Sequence, residues 1–139
     1  MNNDISMKPI LCLDFDGVCS TYKSGWQGAG VINDLPVNGL FEFLEKASYF
    51  FTIQIFSSRS NQEGGIRAMR GWFARHYCEW KYGKGTEIYC PSWIEFPTEK
   101  PPAFIGLDDR VMLFDGTFPD VERLRNFIPW WKDEQEAEK

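Results

Sequence analysis

Three short apolar runs, each ending on polar side chains, limit what this chain can fold into. Pro9 to Leu13 is continuously apolar, as strands covered on both faces are, and Phe50 to Phe56 is rich in β-branched and aromatic residues. Ala103 to Leu107 forms a third such run, and a shorter strand fits Trp93 to Phe96. Helical patterns fill the gaps. Between Pro36 and Ala47, the residues Leu40, Phe41, Leu44 and Ala47 share one face, with Glu42, Glu45 and Lys46 mostly off it. Ser60 and Glu63 have capping-box spacing, and Ile66, Met69, Phe73 and Tyr77 then mark a second helix whose first turn is weakened by Gly64-Gly65. Asp120 to Phe127, after Pro119, reads as a last helix. Strands alternating with helices predict an α/β fold, a single Rossmann-like domain with a parallel sheet and helices on both faces. Ligands of such sheets bind beyond the carboxyl ends of the strands. Those ends carry Asp14 with Asp16, then Ser57, then Asp108 with Asp109.

The chain can bury a real core. It is 43% hydrophobic and 17% aromatic, far from the composition of a disordered segment. No repeat or linker divides it, so positions 1–139 read as one domain with a core at about 8–131 and a charged tail, Lys132 to Lys139, expected to fray. A formal charge of −5 argues against broad, charge-driven binding to nucleic acid or to an anionic membrane. Cations nevertheless gather at Arg59, Arg67, Arg70, Arg75, Lys81 and Lys84, a pattern that favours a solvated helix face over a phosphate-binding surface. Cys12, Cys19, Cys78 and Cys90 form no CxxC pair and no zinc-like spacing with His76, the single histidine, which reads as structural. No apolar stretch has the length of a membrane span, and the polar opening from Met1 to Lys8 is unlike a secretion signal. Reduced thiols in a cytoplasmic protein are the expectation.

Asp14-Phe15-Asp16-Gly17 is the sharpest chemical signal. Two carboxylates two residues apart at a strand end can divide labour, one attacking and one moving a proton. Gly17 permits the sharp turn that would bring backbone N–H groups toward an anion. Such a string also suits an ordinary turn, so its meaning depends on the polar residues further along the chain. A hydroxyl at Ser57, an ammonium at Lys100 and the acids Asp108-Asp109 come after it in that order, and Pro101-Pro102 gives Lys100 a stiff, extended exit.

In that order the sequence resembles the haloacid dehalogenase superfamily across nearly its whole folded length. Its four motifs read as Asp14-Phe15-Asp16-Gly17, Ile55-Phe56-Ser57-Ser58-Arg59, Lys100, and Leu107-Asp108-Asp109-Arg110. The last is similar to the phosphatase domains of polynucleotide kinase-phosphatases and their small phage relatives. Receiver domains use comparable residues, but there the acidic pair comes first, whereas here it comes last.

The resemblance implies a phosphatase with Asp14 as nucleophile and Asp16 as general acid and base. Ser57, or Ser58 if the strand runs one residue longer, would donate to a phosphoryl oxygen, with Gly17 at the turn beside it. Lys100 would neutralise phosphoryl charge, and Arg59 would either bind phosphate or brace its loop. Mg²⁺ would be held by Asp14, the Asp16 carbonyl and Asp109, with Asp108 on a metal-bound water or on Lys100, the two acids of this pair being interchangeable. A divalent cation also answers the charge problem, because four carboxylates converging on one cleft repel and one Lys cannot offset them. The segment after the first motif would form a flap, in which Trp26 either stacks on a substrate ring or plugs the flap against the domain. No insertion is long enough for a cap. The site would then be open to a phosphorylated small molecule, a nucleotide or a nucleic-acid end, unless a homo-oligomer covers it. A phosphate- or nucleotide-binding module without turnover, or a receiver-like phosphorylatable domain, is the alternative.

Overall fold

The computed structural model describes residues 8–86 and 88–132. The opening seven positions, and the charged tail from position 133 onward, lie outside the described residues. Strands β1 (Ile10–Leu13), β2 (Thr52–Ile55), β3 (Ile94–Glu95) and β4 (Ile105–Leu107) form one sheet in the order β3-β2-β1-β4, with every pairing parallel. Helices α1 (Leu40–Ala47) and α2 (Gly65–Tyr82) cross from β1 to β2 and from β2 to β3. A five-residue α3 (Val121–Arg125) comes after β4. The α/β expectation holds.

The expectation of helices on both faces does not. The crossovers β1-α1-β2 and β2-α2-β3 step across the sheet in the same direction, so right-handed connections lay both helices on one face. The return from β3 to β4 reverses direction, yet Phe96 to Phe104 contains no helix to cover the opposite face. No residue of α3 is buried.

The core therefore lies on one side. Leu11, Leu13, Ile53, Ile55 and Ile94 alternate inward along the strands and meet Leu40, Phe41 and Leu44 of α1 and Met69, Trp72 and Phe73 of α2. Phe15 extends that alternation past the end of β1. It is fully buried, with its ring edge-on to Trp72 at 4.9 Å and to Phe73 at 5.9 Å. Asp14 and Asp16, on either side of it, are only half-buried, with the side chains of both facing the opposite way.

Element edges shift for identifiable reasons. Pro36 pairs with Ser20 in an isolated antiparallel bridge, and Gly39 sits at φ 86°, so α1 begins at Leu40. The Ser60–Glu63 capping box does not form. Ser60 Oγ instead accepts from the Ser57 N–H at 2.9 Å, and Gly64 at φ 79° delays the helix start to Gly65. Phe50 and Phe51 donate back to the Ala47 carbonyl, which shortens β2 at its start.

Two glycines of α2 make opposite demands. A Cβ on Gly65 would run into the Arg59 carbonyl, whereas one on Gly71 would meet nothing within 4 Å. Gly71→Ala is expected to stabilise the fold by about 0.5–1 kcal/mol. Gly65→Ala should destabilise it by about 1–3 kcal/mol, since backbone must move. Urea midpoints at unchanged slope would show the two effects, and equal stability of the two variants would refute the close packing at Gly65.

Candidate functional site

The sheet order reverses between β1 and β4, and the acids sit at the carboxyl ends of these two strands. The Asp14 N–H donates to the Leu107 carbonyl at 2.9 Å, so the ladder continues into the acidic segment and fixes Asp14 beside Asp108 and Asp109. The three side chains each offer an oxygen within 4.8 Å of the others. Asp14 Oδ1 accepts from the Phe15 N–H, and Asp108 Oδ1 accepts from the Arg110 N–H. Burial, then the charges of the neighbouring Asp108 and Asp109, push the Asp14 carboxyl up to about 8. Asp109 Oδ1 is buried and has no hydrogen-bond partner among the described residues. An orphaned carboxylate oxygen among converging hard acids is a donor set that fits a divalent cation such as Mg²⁺.

A cleft of about 1180 Å³ opens from these acids over the helix-free face of the sheet. Its walls include Asp14, Asp16, Ser57, Ser58, Lys100 and Asp109, so residues from all four motifs meet there. Lys100 is exposed and forms no ion pair among the described residues. Ser57 is buried. Its Oγ accepts from the Arg59 N–H at 2.9 Å and stands 3.9 Å from the Met69 sulfur, a weak acceptor that leaves the hydroxyl hydrogen largely unspent.

Arg59 is the main departure from expectation. It does not line the cleft as a phosphate ligand but lies under it, 2% exposed. Its Nε and Nη2 donate to both carboxylate oxygens of Asp16 at 2.9 and 3.0 Å. Its Nη1 donates to the Gly28, Ala29 and Val31 carbonyls. The fork thus braces the flap and holds the Asp16 side chain outside the Asp14–Asp108–Asp109 group. Trp26 covers this arrangement. Its ring lies 4.7 Å from the Arg59 guanidinium and also forms part of the cleft wall.

Gly17 also differs. Its N–H donates to the Ser20 carbonyl at 2.9 Å, and the amides of Val18, Cys19 and Ser20 converge on the Phe15 carbonyl, so these four N–H groups are spent within the loop rather than turned to an anion. Gly17 matters instead through its missing side chain. A Cβ there would strike the Asp109 carboxylate and lie 2.7 Å from Trp131 Nε1.

That tryptophan was invisible to residue spacing. Trp130 Nε1 donates to the Gly17 carbonyl at 2.7 Å and Trp131 Nε1 to Asp109 Oδ2 at 2.5 Å. Tyr22 meets the Trp131 ring edge-on at 4.9 Å, and Arg110 lies over it at 5.2 Å. The only advance signal was two adjacent tryptophans after Pro129, which name no partner. The basic run, by contrast, takes the bland reading: Arg67, Arg70 and Arg75 are exposed on α2 and none lines the cleft. His76 packs against Trp72 at 4.9 Å, and burial lowers its pKa. Burial likewise raises the Cys12 thiol, so it stays protonated beneath the cleft.

No helix among the described residues is long and apolar enough to cross a membrane. Comparison with protein-family models, curated proteins and solved structures returns no match.

The electrostatics lead to two expected outcomes. Asp14 holds a proton in the native state up to about pH 8, whereas in the unfolded chain it loses it near 4. The stabilisation this supplies is complete below the unfolded value and is lost as pH rises through about 8. Thermal melts in EDTA should therefore show stability falling across that window, and Asp14→Asn should flatten the fall and raise the Tm at its upper end. Separately, Arg59→Ala strands Asp16 and three carbonyls, and removing one partner of a buried pair costs about 3–5 kcal/mol. Arg59→Lys should recover only part of that in urea melts, because a point charge cannot span the fork.

Proposed function

We propose that this chain is a Mg²⁺-dependent phosphomonoester hydrolase of the haloacid dehalogenase type, a single Rossmann-like, capless domain working in the cytoplasm. The observation that carries the reading is the convergence of Asp14 with Asp108 and Asp109 at the strand-order reversal, on the wall of a cleft shared with Ser57 and Lys100. Bound Mg²⁺ would neutralise these carboxylates and polarise the phosphoryl oxygens. Asp14 and Asp109 would hold it, with the Asp16 carbonyl, and Asp108 would take the outer role.

In the first displacement an Asp14 carboxylate oxygen bonds to phosphorus while the bond to the ester oxygen breaks, giving an aspartyl-phosphate. Asp16, once released from the Arg59 fork and protonated from solvent, gives that proton to the departing oxygen. In the second, water attacks the same phosphorus, its proton passes to Asp16, and Asp14 returns to a carboxylate as inorganic phosphate leaves. Lys100 offsets charge on the transferring group, and the Ser57 hydroxyl donates its spare hydrogen to a phosphoryl oxygen. The open cleft suits a phosphorylated small molecule, a nucleotide or a nucleic-acid end, and a homo-oligomer could close part of it.

One observation favours a second reading, a phosphate- or nucleotide-binding module without turnover. Both Asp16 oxygens are engaged by Arg59, so in this arrangement no proton can reach a leaving group. Hydrolysis of p-nitrophenyl phosphate with and without Mg²⁺ separates the two. Turnover that needs Mg²⁺ and vanishes in a folded Asp14→Asn protein supports the hydrolase. Phosphate binding without turnover supports the module. Within the hydrolase reading, Lys100→Ala should lose ~10²–10³ in rate, since it removes a preorganised charge stabiliser. Lys100→Arg should rescue poorly, and a loss of tenfold or less would put Lys100 outside the mechanism.

A further inference from the structure

The Trp131 indole does more than fill space at the rim of the cleft. Its Nε1–H donates to Asp109 Oδ2 at 2.5 Å. The other oxygen of the same carboxylate, Oδ1, is buried and lacks a partner among the described residues. One carboxylate thus has one oxygen tied and one left over, within a group of three acids whose oxygens lie within 4.8 Å. Ligating carboxylates are commonly oriented in this way by a donor on the oxygen facing away from the cation.

The indole is itself held in place. Tyr22 packs edge-on against it at 4.9 Å and adopts φ 56°, a left-handed conformation that costs a bulky residue about 1–3 kcal/mol and persists only where its surroundings impose it. Arg110 covers it at 5.2 Å, and the neighbouring Trp130 is tied to the Gly17 carbonyl. Gly17 has no side chain, and that alone lets the indole and the Asp109 carboxylate meet there.

We infer that Trp131 is a positioning residue for the divalent cation site, fixing Asp109 through the indole N–H so that Oδ1 is presented for ligation. The inference rests on the metal-dependent reading of the site. Trp131 touches neither cation nor substrate, and its effect passes through Asp109 alone.

The test uses the full chain and Mg²⁺ as probe. Trp131→Phe keeps an aromatic ring for Tyr22 and Arg110 but removes the donor. Isothermal titration should show its Mg²⁺ affinity reduced by about 10–100-fold, the usual effect of losing a group that orients a metal ligand. Unchanged affinity in a folded Trp131→Phe protein overturns the inference while leaving the hydrolase intact. Tighter binding also overturns it, because the indole would then be competing with the cation. If wild-type protein binds no Mg²⁺, the metal reading itself fails and the inference with it.

A second measurement needs no stable variant at position 131. Among the six indole N–H signals of ¹⁵N-labelled wild-type protein, one should lie downfield, shift with the same midpoint as the calorimetric titration, and broaden on adding Mn²⁺. Assignment by substituting the other five tryptophans singly identifies it as Trp131. A Trp131 signal indifferent to Mg²⁺ in protein that binds Mg²⁺ overturns the inference.

Discussion

The guanidinium of Arg59 holds together three parts of the molecule that share no strand or helix: the turn after β1, the turn after β2 and the flap between β1 and α1. It does so from a nearly water-free position, where each of its donors must find an acceptor or cost the fold heavily. Asp16 and three flap carbonyls supply those acceptors. Gly65 is pressed against the Arg59 backbone, which sets where α2 can begin, and the Trp26 ring closes over the guanidinium. Arg59 thus ties down Gly28 to Val31, while Ile32 packs on the core and Trp72 Nε1 donates to the Asp34 carbonyl. A lysine could satisfy the charge without satisfying the shape.

The same residue shapes the chemistry around it. Phe15 reaches inward to Trp72, so Asp14 and Asp16 must face the cleft, yet they face it under different terms. Asp16 is matched by a cation. Asp14 lies among acids with only a backbone N–H in support, and burial with Asp108 drives it toward the neutral form. Two carboxylates two positions apart are thereby given separate electrostatic surroundings, but in the opposite sense to the proposed chemistry. That chemistry needs a cation to ionise Asp14 and needs Asp16 to leave Arg59 before it can carry a proton.

Much of this was legible in the sequence because it depends on period and order. Apolar runs at Pro9 to Leu13, Phe50 to Phe56 and Ala103 to Leu107 announced strands, the spacing of Met69, Phe73 and Tyr77 announced α2, and the rule placing ligands at strand ends selected Asp14, Asp16, Ser57, Asp108 and Asp109. What failed did so for physical reasons. Helices on both faces require a helical return from β3 to β4, and the Pro-rich stretch before β4 contains none. Ser60 looked like a cap because a hydroxyl can serve any nearby N–H, and it chose that of Ser57. Arg59 kept two readings because sequence gives no depth, and depth decides whether an arginine meets phosphate or carbonyls. The contacts of Trp131 link positions far apart in the chain, and no local pattern encodes such a pairing.

That separation has a temporal meaning. The Trp130 bond to Gly17 bridges 113 positions, so the turn that bears the first acids leaves the ribosome well ahead of its far partner. A nascent chain can pair β1 with β2 and close the α1–α2 core well before Asp109 or either tryptophan has left the exit tunnel. The scaffold is therefore available ahead of its chemistry, and a chain cut short before these two tryptophans would keep its core while Asp109 lost its clamp.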